Sequence, residues 1–119
     1  MAMYTKRRRA NTADTLSAVF GALADPTRRA MLDRLKSGAL TVTELGAPFN
    51  MAQPTISKHL KVLENAGLVV RGKNAQLRPR ALTPEPLEEA SAYLDQFRSI
   101  WEGTLDRLEL YLKELQSGQ

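Results

Sequence analysis

The chain of 119 residues contains no cysteine and a single histidine, His59. Without cysteine there is no disulfide, no thiolate metal site and no thiol redox sensor, and this composition fits a reducing compartment. One histidine cannot supply the set of histidine or thiolate ligands that a selective transition-metal site needs. The composition therefore predicts neither a bound metal nor a cofactor.

Long apolar runs are also missing, since no stretch approaches the roughly 20 residues of a membrane span. Four basic residues at 6–9 followed by the apolar run 16–24 imitate an export signal. That run is short, Asp14 lies near its start, and Asp25-Pro26 directly after it begins a helix. We expect a cytoplasmic protein with no membrane partner.

The sequence lacks the groups of a catalytic site. It has no phosphate-binding glycine loop, and His59 as a general base needs a nucleophile that faces it. Ser57, two residues away on a predicted helix, does not. The sequence therefore predicts no enzyme.

Charge is distributed unevenly along the chain. Residues 1–9 carry four basic residues and no acid, residues 10–83 carry ten bases and five acids, and residues 84–119 carry three bases and eight acids. A basic front and middle beside an acidic end is typical of a protein with one surface that faces phosphates. An unevenly charged, solvated surface is the alternative. The arm at 1–11 either reaches a minor groove or is a disordered tail.

Four helices are predicted in the first half of the chain. Helical spacing of apolar residues predicts the first over 12–24. Asp25 as N-cap and Pro26 at the first position start the second, which Gly38 ends. A capping box of Thr41 and Glu44 opens the third, over 42–49, and the fourth spans 53–66 with no capping side chain at Ala52. The short turn between the last two predicts a helix-turn-helix.

The fourth helix carries the most informative pattern. Ile56, Leu60 and Leu63 share one side and are expected to anchor the helix on the core. The residues expected to point away from that side are Pro54, Thr55, Ser57, Lys58 and Lys61, with Gln53 at the N-terminal end. Short polar side chains at the front of a helix reach base edges in a major groove, and lysines further along meet phosphates. An ordinary amphipathic helix with a solvated polar face is the alternative.

Two short strands and a long helix complete the predicted elements. Strands over 68–71 and 76–82 flank a Gly/Asn turn and form a hairpin, with Pro79 confined to an edge or an irregular position. Apolar residues then recur by threes and fours over 87–115, which predicts one helix of about 30 residues and roughly 45 Å. This length exceeds the needs of one domain and favours a partner helix. A helix that folds back or breaks near Gly103 is the alternative.

Several of these segments together resemble the ArsR/SmtB family of winged-helix repressors. They are Leu23-Ala-Asp-Pro-Thr-Arg-Arg-Ala-Met-Leu-Asp-Arg-Leu35, Thr43-Glu-Leu45, Gln53-Pro-Thr-Ile-Ser-Lys-His-Leu60 and Leu63-Glu-Asn-Ala-Gly-Leu-Val69. The stretch from Thr83 to Leu112 is similar to the SdpR-like subgroup, which lacks a recognised metal site. Metal-sensing relatives use cysteines in the third helix or a carboxylate–histidine set in the last, and this chain has neither.

The resemblance implies a homodimer built from the first and last helices, with two recognition helices facing one operator. It implies recognition-helix positions for Gln53, Thr55, Ser57, Lys58 and His59, although His59 is also suited to flanking the helix. It places Arg71, Lys73, Arg78 and Arg80 in the wing, where all four are expected to contact DNA. The expected dimer interface comprises Leu16, Val19, Phe20, Leu94, Phe97, Trp101, Leu105, Leu108 and Leu112. Phe97 and Trp101 have an alternative role at the border of an effector pocket.

The predicted fold class is mostly α with a β-hairpin wing (α+β), a winged helix-turn-helix of about five helices. Its parts are a flexible basic arm (1–11), a DNA-binding core (12–83) and a C-terminal dimerisation helix (84–116). The expected function is repression of transcription by a homodimer bound to double-stranded DNA at a pseudo-palindromic operator. The alternative is a winged-helix module for protein–protein interaction that binds DNA weakly or not at all.

Overall fold

Local signals in the sequence account for the first four helices of the computed structural model, which describes residues 12–73 and 78–118. They are α1 (Thr12–Leu23), α2 (Pro26–Leu35), α3 (Val42–Gly46) and α4 (Gln53–Asn65). Asp25 caps α2 by accepting a hydrogen bond from the Arg28 amide, and Thr41 and Glu44 form the expected capping box on α3. Ala52 gives α4 no side-chain cap. Gly67, at a positive φ of 78°, directly follows the C-cap of α4, whereas Gly38, also at positive φ, lies three residues beyond the end of α2.

The wing is a two-stranded antiparallel hairpin of β1 (Val69–Arg71) and β2 (Arg80–Leu82), with Val69 opposite Leu82. The predicted second strand over 76–82 is too long, because described residues Arg78 and Pro79 lie outside it. Arg78 has a φ of 41°, which no strand residue adopts, and Pro79 cannot donate to the ladder. The rest of that prediction, and the arm at 1–11, lie outside the described residues.

The C-terminal region forms two helices where the sequence predicted one. Helix α5 spans Glu85–Asp95 and α6 spans Arg98–Ser117. The interruption lies at Gln96 and Phe97, whose amides bond to carbonyls three residues back, the tighter pattern of a helix end. The alternative break near Gly103 is also wrong, since Gly103 lies inside α6.

The core lies between α1, α2, α3, α4 and the wing, and α5 closes it by packing on α1. Its largest fully buried side chains are Met31, Leu45, Leu60, Leu63, Leu68 and Val19. Helix α6 contacts the protomer through α5, and all but one of its residues are exposed. The helix therefore extends beyond the core, and the Cα atoms span 72 Å along the longest axis.

Candidate nucleic-acid interface

Helix α4 presents its polar face to solvent. Ile56, Leu60 and Leu63 are buried in the core, as the spacing predicts. The exposed residues on the remainder of the helix include Gln53, Pro54, Thr55, Ser57, Lys58 and Lys61. The front of α4 is therefore a convex ridge of short hydrogen-bonding side chains followed by two lysines, a shape and chemistry suited to a major groove.

His59 lies at the flank of this ridge, with 18% of its side chain exposed. Its Nδ1 is 3.3 Å from Arg28 Nη1 and 3.9 Å from Asp25 Oδ2. The imidazole thus lies within hydrogen-bond distance of the Arg28 guanidinium and close to the Asp25 carboxylate. Contact of His59 with DNA stays a prediction, while the geometry shows it bracing α4 on the start of α2.

Arg28 is a residue that the sequence analysis missed. Its Nε donates to the Ala22 carbonyl at 2.8 Å and its Nη2 to the Gly21 carbonyl at 3.1 Å. It thereby joins the end of α1, through His59, to α4. Its place in the Asp-Pro-Thr-Arg-Arg segment could be read from the sequence. Its hydrogen bonds to Ala22, Gly21 and His59 could not, because these partners lie at least six residues away.

Glu64, in the last turn of α4, joins this helix to both strands of the wing. Its Oε2 accepts from Arg80 Nε at 2.9 Å and from Arg71 Nε at 3.2 Å, and its Oε1 accepts from Arg71 Nη2 at 3.3 Å. The exposed side-chain fractions are 16% for Glu64, 44% for Arg71 and 10% for Arg80. This ion-pair cluster sets the wing against α4, and the sequence analysis missed Glu64 altogether.

The predicted wing cations therefore differ in position. Lys73 and Arg78 are exposed, and Arg71 is half exposed. Arg80 is buried. Its Nη1 donates a hydrogen bond to the Arg78 carbonyl, in addition to the bond from its Nε to Glu64. The expectation that Arg80 meets DNA does not fit this burial, because its guanidinium is committed to the protein interior.

The two arginines hold Glu64 in its charged form. Burial alone raises the pKa of Glu64, but hydrogen bonds from Arg71 and Arg80 outweigh this effect and bring the pKa below its ordinary value of 4.5. A carboxyl group with a depressed pKa in the folded state stabilises the fold at pH values above its unfolded pKa. That stabilisation is lost as the pH falls through the folded pKa.

Replacing Glu64 with glutamine should lower the free energy of unfolding by about 2 kcal/mol at about pH 7. Glutamine keeps one acceptor but removes the charge opposite buried Arg80, so the cost lies between a neutral hydrogen bond and a broken buried pair. The difference from wild type should close as the pH falls below 4.5, because protonation neutralises Glu64 in the wild type. Urea unfolding of both proteins across this range measures it, and a difference that does not change with pH would contradict the assignment.

A second surface, which we call the C-terminal apolar face, lies on α5 and α6. Its large exposed side chains include Leu94, Phe97, Ile100, Trp101, Leu105, Leu108, Tyr111, Leu112 and Leu115. Soluble monomers rarely expose so large a contiguous apolar area. Of the predicted interface residues, Val19 does not belong here, because it is fully buried in the protomer's own core. Leu16 and Phe20 are partly buried against that core.

An open surface groove of about 520 Å³ lies at one end of this face. Its lining includes Phe20 of α1, Leu94 of α5, Phe97, and Trp101 of α6. Tyr93 packs edge-on between Phe20 and Phe97, with ring centroids 6.1 and 5.5 Å away. Phe97 and Trp101 border this groove and also lie on the C-terminal apolar face, so both roles given for them stay predictions.

Residues 12–73 and 78–118 contain no group of three or more histidine, cysteine, aspartate or glutamate side chains arranged to hold a metal ion. None of the helices in this part of the chain has both the length and the hydropathy needed to cross a membrane.

A helical core, a helix-turn-helix with an outward polar ridge and a β-hairpin wing define a winged helix-turn-helix DNA-binding protein. A family model described as a helix-turn-helix domain matches residues 23–71. The chain is 33% identical to the transcriptional repressor SdpR of Bacillus subtilis, over 69% of this chain and 91% of SdpR. It is 42% identical to an ArsR family transcriptional regulator of known structure, with a TM-score of 0.70 over 76% of this chain and 93% of that one.

The chain belongs to the ArsR family of transcriptional regulators. A more distant structure is the homodimeric winged helix-turn-helix DNA-binding domain of a possible ArsR-family regulator from Mycobacterium bovis. That domain is 23% identical, covers 84% of this chain and 90% of its own, and has a TM-score of 0.58. At this identity it supports the fold.

Proposed function

We propose that the protein represses transcription by binding a pseudo-palindromic operator as a homodimer and occluding the promoter. The observation that carries the proposal is the exposed ridge of α4, which the core holds from behind and the wing flanks on one side. The relatives' function as regulators supports it. We infer repression, as opposed to activation, from the similarity to the transcriptional repressor SdpR. The protein would act where the DNA is, in the cytoplasm.

Each side chain of the interface has an assigned role in this proposal. Gln53, Thr55 and Ser57 contact base edges, and Pro54 packs against the groove wall. Lys58 and Lys61 meet phosphates, and the exposed wing residues Lys73 and Arg78 meet the flanking backbone. Base contacts of this kind give sequence preference, whereas phosphate contacts give salt-dependent affinity for any duplex.

The C-terminal apolar face is proposed as the dimer interface. Leu94, Phe97, Trp101, Leu105, Leu108 and Leu112 form its stripe, bordered by Leu16 and Phe20. The homodimeric domain from Mycobacterium bovis has the same fold, and a two-fold axis would present two copies of α4 to one face of the duplex. We propose a DNA-binding role and no catalytic one, since the relatives are regulators and His59 is engaged in bracing α4.

The same exposed face favours one other function, a module that binds a different protein through α6. Capture of genomic DNA fragments, the protein's own promoter included, separates the two. If the protein is a repressor, a few DNA sites should be enriched in the captured fragments. Adding the protein in vitro should then reduce transcription from a captured promoter. Uniform recovery of all fragments would support the interaction module instead.

Chelators and zinc should leave operator affinity unchanged. The single histidine has its Nδ1 occupied, and a selective zinc site needs several histidine or thiolate ligands. The measurement is operator binding with EDTA and with equimolar zinc at fixed ionic strength. A change beyond about tenfold, or roughly 1.4 kcal/mol, would show that acidic residues of α5 or α6 bind metal and control the DNA-binding surface.

A further inference from the structure

We propose that Glu64 competes with DNA phosphate for Arg71, so that Arg71 contacts the backbone only in a closely fitted complex. Arg80 keeps the Glu64 carboxylate paired after Arg71 has left. Glu64 is then a specificity-determining residue, because it withholds one cation from loosely bound DNA. This inference rests on the proposed function, and it explains what the ion pairs of Glu64 with Arg71 and Arg80 contribute to DNA recognition.

Arg71 is the partner that can leave. Its side chain is 44% exposed, and it holds Glu64 through two hydrogen bonds of 3.2 and 3.3 Å. Both are longer than the usual distance for a charge-assisted bond. Arg71 is the last residue of β1 and is exposed. A phosphate placed beside the wing offers the same planar, bidentate match to the guanidinium.

Arg80 is the partner that cannot leave. Only 10% of its side chain is exposed, and its Nε bonds to Glu64 at 2.9 Å. Its backbone is fixed as well, since its amide donates to the Leu40 carbonyl at 2.7 Å and its carbonyl accepts from the Leu40 amide at 3.0 Å. Removal of Arg71 therefore still leaves Glu64 a charged partner. This avoids the cost of an unpaired buried charge.

The position of Glu64 on α4 gives the competition its effect on DNA. At 3.6 residues per turn, Glu64 lies on the same edge of the helix as Gln53 and Ser57. An unpaired carboxylate on that edge would repel the backbone of an approaching duplex, but Arg80 neutralises Glu64 whether or not Arg71 has left. On the operator, base contacts hold the wing close enough for phosphate to take Arg71. On other sequences the complex is looser, and Arg71 stays paired with Glu64.

The test compares wild type with Arg71→Gln, Glu64→Gln and the double variant, on operator and scrambled duplex, across about 50 to 200 mM salt. Arg71→Gln should reduce the salt slope on the operator by about 0.9, roughly a threefold change over this range, and leave the scrambled slope unchanged. Glu64→Gln should steepen the scrambled slope by about 0.9 and reduce operator preference. The double variant should behave like Arg71→Gln, since no arginine is left to release.

Arg71→Gln alters an exposed side chain and keeps the Glu64–Arg80 pair, so its result stands even if Glu64→Gln fails to fold by circular dichroism. An unchanged operator slope in Arg71→Gln would overturn the inference while leaving the proposed function intact. Equal loss of slope on both duplexes would overturn it too, because Arg71 would then be a permanent phosphate contact. If the wild type prefers no sequence, the proposed function fails first and this inference with it.

Discussion

Replacing both Leu108 and Leu112 with glutamate should convert a dimer into a monomer at micromolar concentration. The two side chains lie in the C-terminal apolar face, each about half exposed in the protomer. Pairing of two such faces would bury four carboxylates without partners, each at a cost of several kcal/mol. Since a bivalent contact exceeds a single one by about 10² to 10⁴ in affinity, operator binding should fall by at least about 100-fold. Light scattering and operator titration measure the two effects.

Leu110→Glu is the matched control for this substitution. Leu110 is also on α6 and is 61% exposed, but about 100° of rotation per residue places it on the side opposite to Leu108 and Leu112. It should leave the mass and the operator affinity unchanged. A monomeric mass for the unmodified protein, or equal effects of both variants, would contradict the proposed interface.

Alanine at Thr55 and at Ser57 should weaken operator binding by about 1–3 kcal/mol each and leave binding to scrambled duplex almost unchanged. Both are exposed on the first turns of α4, where a helix laid in the major groove brings short hydroxyl side chains to base edges. These substitutions should therefore reduce the ratio of operator affinity to scrambled-duplex affinity. Affinity for the two duplexes at one fixed salt concentration measures this discrimination.

Lys61→Gln and Arg78→Gln provide the contrast. Each removes an exposed cation without altering a base contact. Binding to both duplexes should weaken alike, and the salt slope should become shallower by about 0.9 for each phosphate contact removed. If the hydroxyl variants keep full discrimination while Arg78→Gln abolishes it, the recognition surface lies in the wing and our assignment of α4 is wrong.

Local signals predicted much of the fold because they act over a few residues. The Asp25 cap, the capping box of Thr41 and Glu44, and the buried side of α4 are each determined within one or two turns. All three were confirmed. The polar ridge of the candidate interface followed from the same periodicity, since fixing the buried side of a helix also fixes its exposed side.

The features that sequence reasoning missed depend on contacts between distant residues. No glycine or proline marks the break at Gln96 and Phe97, and the apolar spacing continues through it. The break accompanies packing of α5 on α1, where Tyr93 meets both Phe20 and Phe97. The burial of Arg80 likewise depends on Glu64, sixteen residues earlier. The resemblance placed Arg80 in the wing as an expected DNA contact, and it gave no sign that the side chain lies buried against Glu64.

The preference for one DNA sequence tests the account most directly. The measurement is the affinity of the unmodified protein for its captured operator and for a scrambled duplex of equal length and composition, at the same ionic strength. We expect the operator to bind at least about 10³-fold more tightly than the scrambled duplex. Equal affinity for the two duplexes would contradict the proposed function, because the exposed ridge of α4 would then not recognise bases.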